Sequence, residues 1–284
     1  MRYACPMNTP LNPPLHPTPT STKLTLALMA IVPLWFIIAA LGTRFGVWDW
    51  RFGLVTMTIS GGPILLGILG LVALVALVLA IRARPRRKVP LAVAGIALVA
   101  VVAAFGMLAS LRGKAAENPI SDIATDTGNP PVFSAAVMAE RAEGVSNPVN
   151  DFQTPIGQLK PYQGRVSDEL AVKSIAQIIT AKPDRPAPLP LGGADKAAGI
   201  AAVKAAMTAM GLTDIRADEA TGTVEGVAQS FWFGFKDDVV ARVGEAQIDF
   251  RSVSRVGVSD LGANTARIDD LRARTEALLG TAAR

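Results

Sequence analysis

The sequence predicts an α+β protein: three N-terminal transmembrane helices followed by a two-layer domain of helices on an antiparallel sheet. Three observations predict it. Half of the 284 residues are hydrophobic and 18% are charged, where a soluble domain carries roughly 25%, and mean hydropathy is +0.37. Three long, nearly uncharged apolar runs lie before residue 112. Beyond residue 165, amphipathic helical patterns give way to strand-like alternation and a final helix. The chain divides into a Pro-rich cytoplasmic tail (1–23), a transmembrane region (24–111), an extended lead-in (112–165) and the α+β domain (166–284).

The tail holds Pro6, Pro10, Pro13, Pro14, Pro17 and Pro19 among Ser and Thr, and so reads as disordered. Met7 is an alternative start to Met1. Cys5 and His16, the one Cys and one His, both lie in this tail. That excludes an internal disulfide, a Cys/His zinc site and a CxxC redox pair within one chain.

A bilayer core of ~30 Å needs about 20 helical residues. The apolar runs place the spans near 24–42, 60–81 and 90–111. The middle run is too long for a bilayer, so its helix is expected to tilt or to start at Gly61-Gly62-Pro63, because proline fits a first helical turn. The first span lacks a cleavage site and is read as retained. The loop from Arg82 to Lys88 holds Arg82, Arg84, Arg86, Arg87 and Lys88. Such a loop stays cytoplasmic. The N-terminus then lies inside, and the loop carrying Arg44 and Arg51 lies outside, flanked by Trp35, Phe36, Phe45, Trp48, Trp50 and Phe52 as an interfacial belt. The implied location is a bacterial inner membrane, with the C-terminal domain periplasmic.

Residues 1–111 carry nine Lys/Arg and one acid, and the remainder 19 Lys/Arg and 22 acids, so charges of +8 and −3 compose the net +5. The basic pI of 9.6 therefore reports membrane orientation, and no nucleic-acid face is expected on the folded domain.

In the lead-in, a short helix is expected near 134–141. Ser167-Asp168-Glu169 caps a helix whose apolar face is Leu170, Ile175, Ile178 and Ile179. A proline-stiffened connector follows from Lys182 to Pro190. Asp195 caps the next helix, with Ile200, Val203, Met207 and Met210 at helical spacing and Gly211 just past its end. Strands are predicted over 214–216, 223–233, 235–243 and 246–254. A two-residue turn at Gly244-Glu245, of type II′, would pair Val239 with Phe250, Ala241 with Ile248, Asp238 with Arg251 and Arg242 with Gln247. The final helix spans about 264–279, with Asn264 as N-cap and Ile268, Leu271 and Leu278 buried.

Residues 231–240 (FWFGFKDDVV) and 251–272 (RSVSRVGVSDLGANTARIDDLR) are unusually rich in polar groups for strand ends. Their F-x-D-D-V and R-S-x-S-R-x-G-x-S-D-x-G-x-N-x-x-R-I patterns resemble domain-of-unknown-function family 1499. The lead-in ISDIATDTGNPPVF from Ile120 to Phe133 is similar to the family's I-x-D-I-x-T-D-x-x-x-P-P-x-F. A histidine expected in some members stands here as Ser121. The resemblance covers about 118–279. It implies the fold and a membrane-anchored envelope location, and it implies no activity.

The candidate site is Asp237, Asp238, Arg251, Ser252, Ser254, Arg255, Ser259, Asp260, Asn264 and Arg267. It admits three readings. As a scaffold, Asp238 faces Arg251 across the strands, about 13 Å of strand separates Arg251 from Arg255 at ~3.4 Å per residue, and Ser252 and Ser254 bond backbone. As a small anionic-ligand site, Arg255, Ser259, Asn264 and Arg267 donate beside the last helix's N-terminus. As a metal-dependent hydrolase, Asp237, Asp238 and Asp260 hold a divalent cation or act as acid and base. No cofactor motif is present. The favoured function is a noncatalytic periplasmic domain that binds a small anionic ligand or an envelope protein in envelope maintenance. The rivals are the hydrolase and a membrane sensor or assembly subunit working through its helices.

Overall fold

The computed structural model describes residues 17–144 and 146–282; Cys5, His16 and the tail before residue 17 lie outside the described residues. The chain forms two compact units, one of Met1–Ala40 with Trp48–Met107 and one of Leu41–Val47 with Leu108–Arg284.

Three helices, α1 (Thr20–Arg44), α2 (Arg51–Arg82) and α3 (Lys88–Glu117), are each long and apolar enough to cross a membrane. They differ in extent from the predicted spans. Helix α1 begins inside the segment read as disordered tail. Helix α2 does not start at Gly61-Gly62-Pro63. Its first part, Arg51–Gly61, is a π-helix, and an α-helix continues from Gly62. The Gly-Gly-Pro step marks a change of helical winding, and Pro63 sits in the first turn of the α segment, where its missing N–H is least costly. Thr58 Oγ1 donates to the Gly53 carbonyl five residues back, and Trp35 Nε1 donates to the Met57 carbonyl. Helix α3 runs past Leu111 through Arg112, Lys114 and Glu117, so the lead-in begins as helix.

The C-terminal unit is built on one antiparallel sheet of order β1-β6-β5-β4-β3, with β2 also on β6. The strands are β1 (Asp122–Ala124), β2 (Leu189–Pro190), β3 (Thr213–Asp218), β4 (Thr223–Gln229), β5 (Lys236–Val243) and β6 (Gln247–Ser254). Four lie where the alternation predicts them, but β4 stops at Gln229, before the aromatic run. Strands β1 and β2 come from segments read as extended, and together they cover the outer side of β6 at Ser252 and Ile248.

The β5–β6 register differs from the expectation. Val239 pairs with Ser252, Ala241 with Phe250, Arg242 with Asp249 and Asp238 with Val253. The type II′ turn would need Gly244 at positive φ, which Gly244 does not adopt. A longer turn closes through Gly244 N–H to the Gln247 carbonyl instead. The slip is two residues, an even number, so every side chain keeps its predicted face.

On one face Val239, Ala241, Val243, Ile248 and Phe250 form a core with α7 (Lys196–Ala209) and α8 (Ala263–Ala282). The charged face is not solvated: Phe133 and Val137 cover Val240 and Val253 there. Helix α4 (Ala135–Glu143), capped by Ser134, supplies Val137. The helix predicted after Ser167 is two, α5 (Asp168–Ala171) and α6 (Ile175–Thr180), because Ser174 opens a second helix with a capping box to Gln177. Asp195 caps α7 through Ala198 N–H, as predicted. In α8 the buried stripe is Ile268, Leu271, Thr275 and Leu279, with Leu278 exposed.

Gly199 is where α7 meets the sheet. A Cβ there would come 2.7 Å from Val243 Cγ1 and 2.9 Å from Leu191 Cδ2. Gly199→Ala should therefore lower stability, since overpacking costs about 1–3 kcal/mol against a helix-propensity gain of about 1 kcal/mol. Chemical denaturation of the solubilised full chain measures it; a more stable variant would show that the contact gives way.

Candidate functional site

The signature residues converge on the buried side of the sheet and at its β5–β6 end, and their charges are consumed internally. Arg251, on β6, crosses to Asp122 on β1. Its Nε donates to Oδ1 at 2.9 Å and its Nη2 to Oδ2 at 2.8 Å. The remaining donors reach the Pro131 and Asn150 carbonyls. The guanidinium carbon lies 4.7 Å from the Phe152 ring centroid. Both partners are nearly inaccessible, at 2% for Arg251 and 0% for Asp122. A buried pair survives when geometry is bidentate and the leftover donors are satisfied. The sequence expects Asp238 opposite Arg251, and the structure corrects this.

Asp238 is instead clamped by two other arginines. Arg141, from α4, donates to Oδ2, and Arg255 binds through Nε and Nη2, the shortest contact being 2.6 Å to Oδ1. Arg255 also meets Glu140, which Arg216 holds from β3. The Arg216 hydrogen bond, with a smaller contribution from Arg255, holds the Glu140 carboxyl below its usual range. Pairing with Asp238 raises Arg255 further above neutrality.

A third group ties α8 to the strands. Arg267 donates to Asp237 Oδ2 at 2.7 Å and to Ser252 Oγ at 2.9 Å. Asn264 is fully buried, accepts from Ser252 Oγ and Arg267, and donates to Ser254 Oγ and the Ser121 carbonyl. It is therefore not the N-cap. Asp260 takes that part: its oxygens accept from Gly262 and Asn264 N–H, each at 2.8 Å. Burial pushes the Asp260 carboxyl above its ordinary value, and these hydrogen bonds oppose the shift. Ser259 Oγ accepts from Leu261 N–H. Ser252 and Ser254 thus bond mainly side chains, where backbone was expected.

The three aspartates of the hydrolase reading do not converge on a cation position. Asp237 and Asp238 each face arginine, and Asp260 faces backbone donors. Among the described residues no group of three or more His, Cys, Asp or Glu is arranged to hold a metal ion.

A cavity of about 240 Å³ lies on the other flank of the α8 N-terminus. Its apolar floor includes Ile120, Ile123, Ile178 and Ile179, and its rim carries Asn118, Lys182, Asp184, Arg185 and Asp269. Lys182 Nζ donates to Asn118 Oδ1 at 2.8 Å. Burial raises the Asp269 carboxyl above its ordinary value, opposed by Arg272. None of the ten predicted site residues lines this cavity. Sequence reasoning missed it, and missed Arg141, although the charged Lys182–Arg185 connector and the predicted helix at 134–141 were the available signals.

Fold and site together define an α+β domain carried by membrane-type helices and locked by buried arginine–carboxylate pairs. A family model described as a protein of unknown function (DUF1499) matches residues 122–274, and the chain belongs to that family. No curated protein and no solved structure matches the chain.

Removing one side of the Arg251–Asp122 pair should cost about 3–5 kcal/mol, because the other charge is left buried. Arg251→Met alone should show that loss in denaturant unfolding, and Arg251→Met with Asp122→Leu should recover most of it. Equal loss in single and double variants would show that the pair's charges are not the issue.

Asp260 gives a pH signature. Its folded value is raised, so its contribution to stability is full below the ordinary aspartate value and falls as pH rises through the raised value. The stability of the wild type relative to Asp260→Asn should decline across that acidic window. A flat difference would contradict the burial described here.

Proposed function

We propose that the chain is a multi-pass protein of a bacterial inner membrane whose C-terminal domain stands in the periplasm and binds a small anionic amphiphile without transforming it, in the service of envelope maintenance. One observation carries this reading. The signature's acids and arginines are spent holding the domain together, while the cavity beside α8 combines an isoleucine floor with a rim where Lys182 and Arg185 stand among Asn118, Asp184 and Asp269. Such a cavity suits an apolar body with an anionic head. The five basic residues from Arg82 to Lys88 support the orientation.

Two measurements test it. A C-terminal alkaline phosphatase fusion should be active and a C-terminal green fluorescent protein fusion dark; the reverse would overturn the periplasmic placement. Titration of the detergent-solubilised chain with medium-chain fatty acids and alkyl phosphates should raise its melting temperature. Lys182→Ala with Arg185→Ala should abolish that rise. No shift with any of these amphiphiles would remove the ligand reading.

A further inference from the structure

The turn between β4 and β5, residues 230–235, reads Ser-Phe-Trp-Phe-Gly-Phe and takes no part in the core. Phe231 is 72% exposed and Trp232 54%. They stand edge to face, with ring centroids 5.3 Å apart. Phe233 and Phe235 stack on each other with ring centroids 5.2 Å apart. The turn is not a loose loop. Ser230 N–H donates to the Phe235 carbonyl at 2.8 Å, Phe235 N–H to Ser230 Oγ at 2.9 Å, and Gly234 N–H to the Ser230 carbonyl at 3.1 Å. Two large aromatic rings are thus presented on a tip whose backbone is already fixed by hydrogen bonds, which lowers the ordering cost of a contact there.

The surroundings indicate what covers them. The turn holds no acid and is followed by the exposed Lys236. Within the same unit lies Leu41–Val47, the end of α1 and the residues after it. There Arg44 Nη1 donates to the Ser230 carbonyl at 2.8 Å and the Phe231 carbonyl at 2.6 Å, and its guanidinium sits 5.6 Å from the Phe231 ring centroid. Arg44 closes an apolar run long enough to cross a bilayer. Next to it, Phe45 and Val47 are exposed as well. Tryptophan, phenylalanine and a basic residue at the end of such a run have the composition of the headgroup layer.

We propose that the β4–β5 turn is a lipid-contacting loop, with Phe231 and Trp232 seated in the interfacial layer of the phospholipid bilayer that anchors the chain. Arg44 and Lys236 face the phosphates of the same layer. The proposal holds on either side of the membrane and does not depend on the cavity beside α8. It therefore stands or falls separately from the periplasmic ligand reading.

The test uses the full chain in phosphatidylcholine nanodiscs, with Cys5→Ser removing the one native thiol. A nitroxide is attached at Trp232→Cys, at Phe231→Cys, or at Glu219→Cys, an exposed position beyond the opposite end of β4. Collision with oxygen relative to a water-soluble nickel complex reports depth. Labels at 231 and 232 should favour oxygen several-fold over the label at 219. A ratio equal to that at 219 would place the turn in water. Exclusion of both reagents would place it against protein. Either result would overturn the proposal.

Discussion

The pairing of Arg251 with Asp122 is the constraint on which the rest of the domain depends. It joins β6 to a strand 129 residues away in sequence. Because both groups are buried, neither tolerates a position in which the other is missing. The guanidinium's other donors then fix the Pro131 and Asn150 carbonyls. That draws the proline-rich segment over the second face of the sheet, where Phe133 and Val137 complete a small core with Val240 and Val253. The clamp on Asp238 follows from the same packing, since Arg141 arrives on the helix that covers this face. What looks like a chemical centre in one dimension is a set of cross-links in three.

Much of the architecture was legible because burial has a period. The spans, the α7 stripe and the alternation of β4, β5 and β6 repeat at the spacings of helices and strands, and water sorts them without help from distant residues. What escaped was what period cannot encode. The two-residue error in register leaves the alternation untouched, and it shows only at the turn, where Gly244 is not at positive φ. The strand at Asp122 is three residues long and has no alternation to detect. The partner of Arg251 lies 129 residues away in sequence, so a local reading assigned it the carboxylate that the predicted register placed opposite, Asp238. The same limit hid the cavity, whose walls come from the α3–β1 junction, α6, the connector and α8.

The polar signature shows why residue type alone does not identify a catalyst. Serines, aspartates, arginines and an asparagine crowded within a short stretch are the materials of an active site. Here each is aimed at another or at backbone. Asn264 reaches into the interior and connects Ser252, Ser254 and the Ser121 carbonyl, so one amide seals the junction of α8, β6 and the chain entering β1. Chemical reactivity and structural cohesion draw on the same functional groups, and accessibility separates the two uses.

The pairing of β1 with β6 also sets an order of events during synthesis. Asp122 leaves the ribosome long before Arg251 is made, and until then its carboxylate has no counter-charge and the segment that carries it has no strand to join. The sheet cannot close on its β1 side until β6 appears, and α8 packs on β6 only after that. Such a long-range closure slows assembly. A chain truncated before Arg251 would leave Asp122 without the bidentate arginine that its buried position requires, and the first strand would have no neighbour to join.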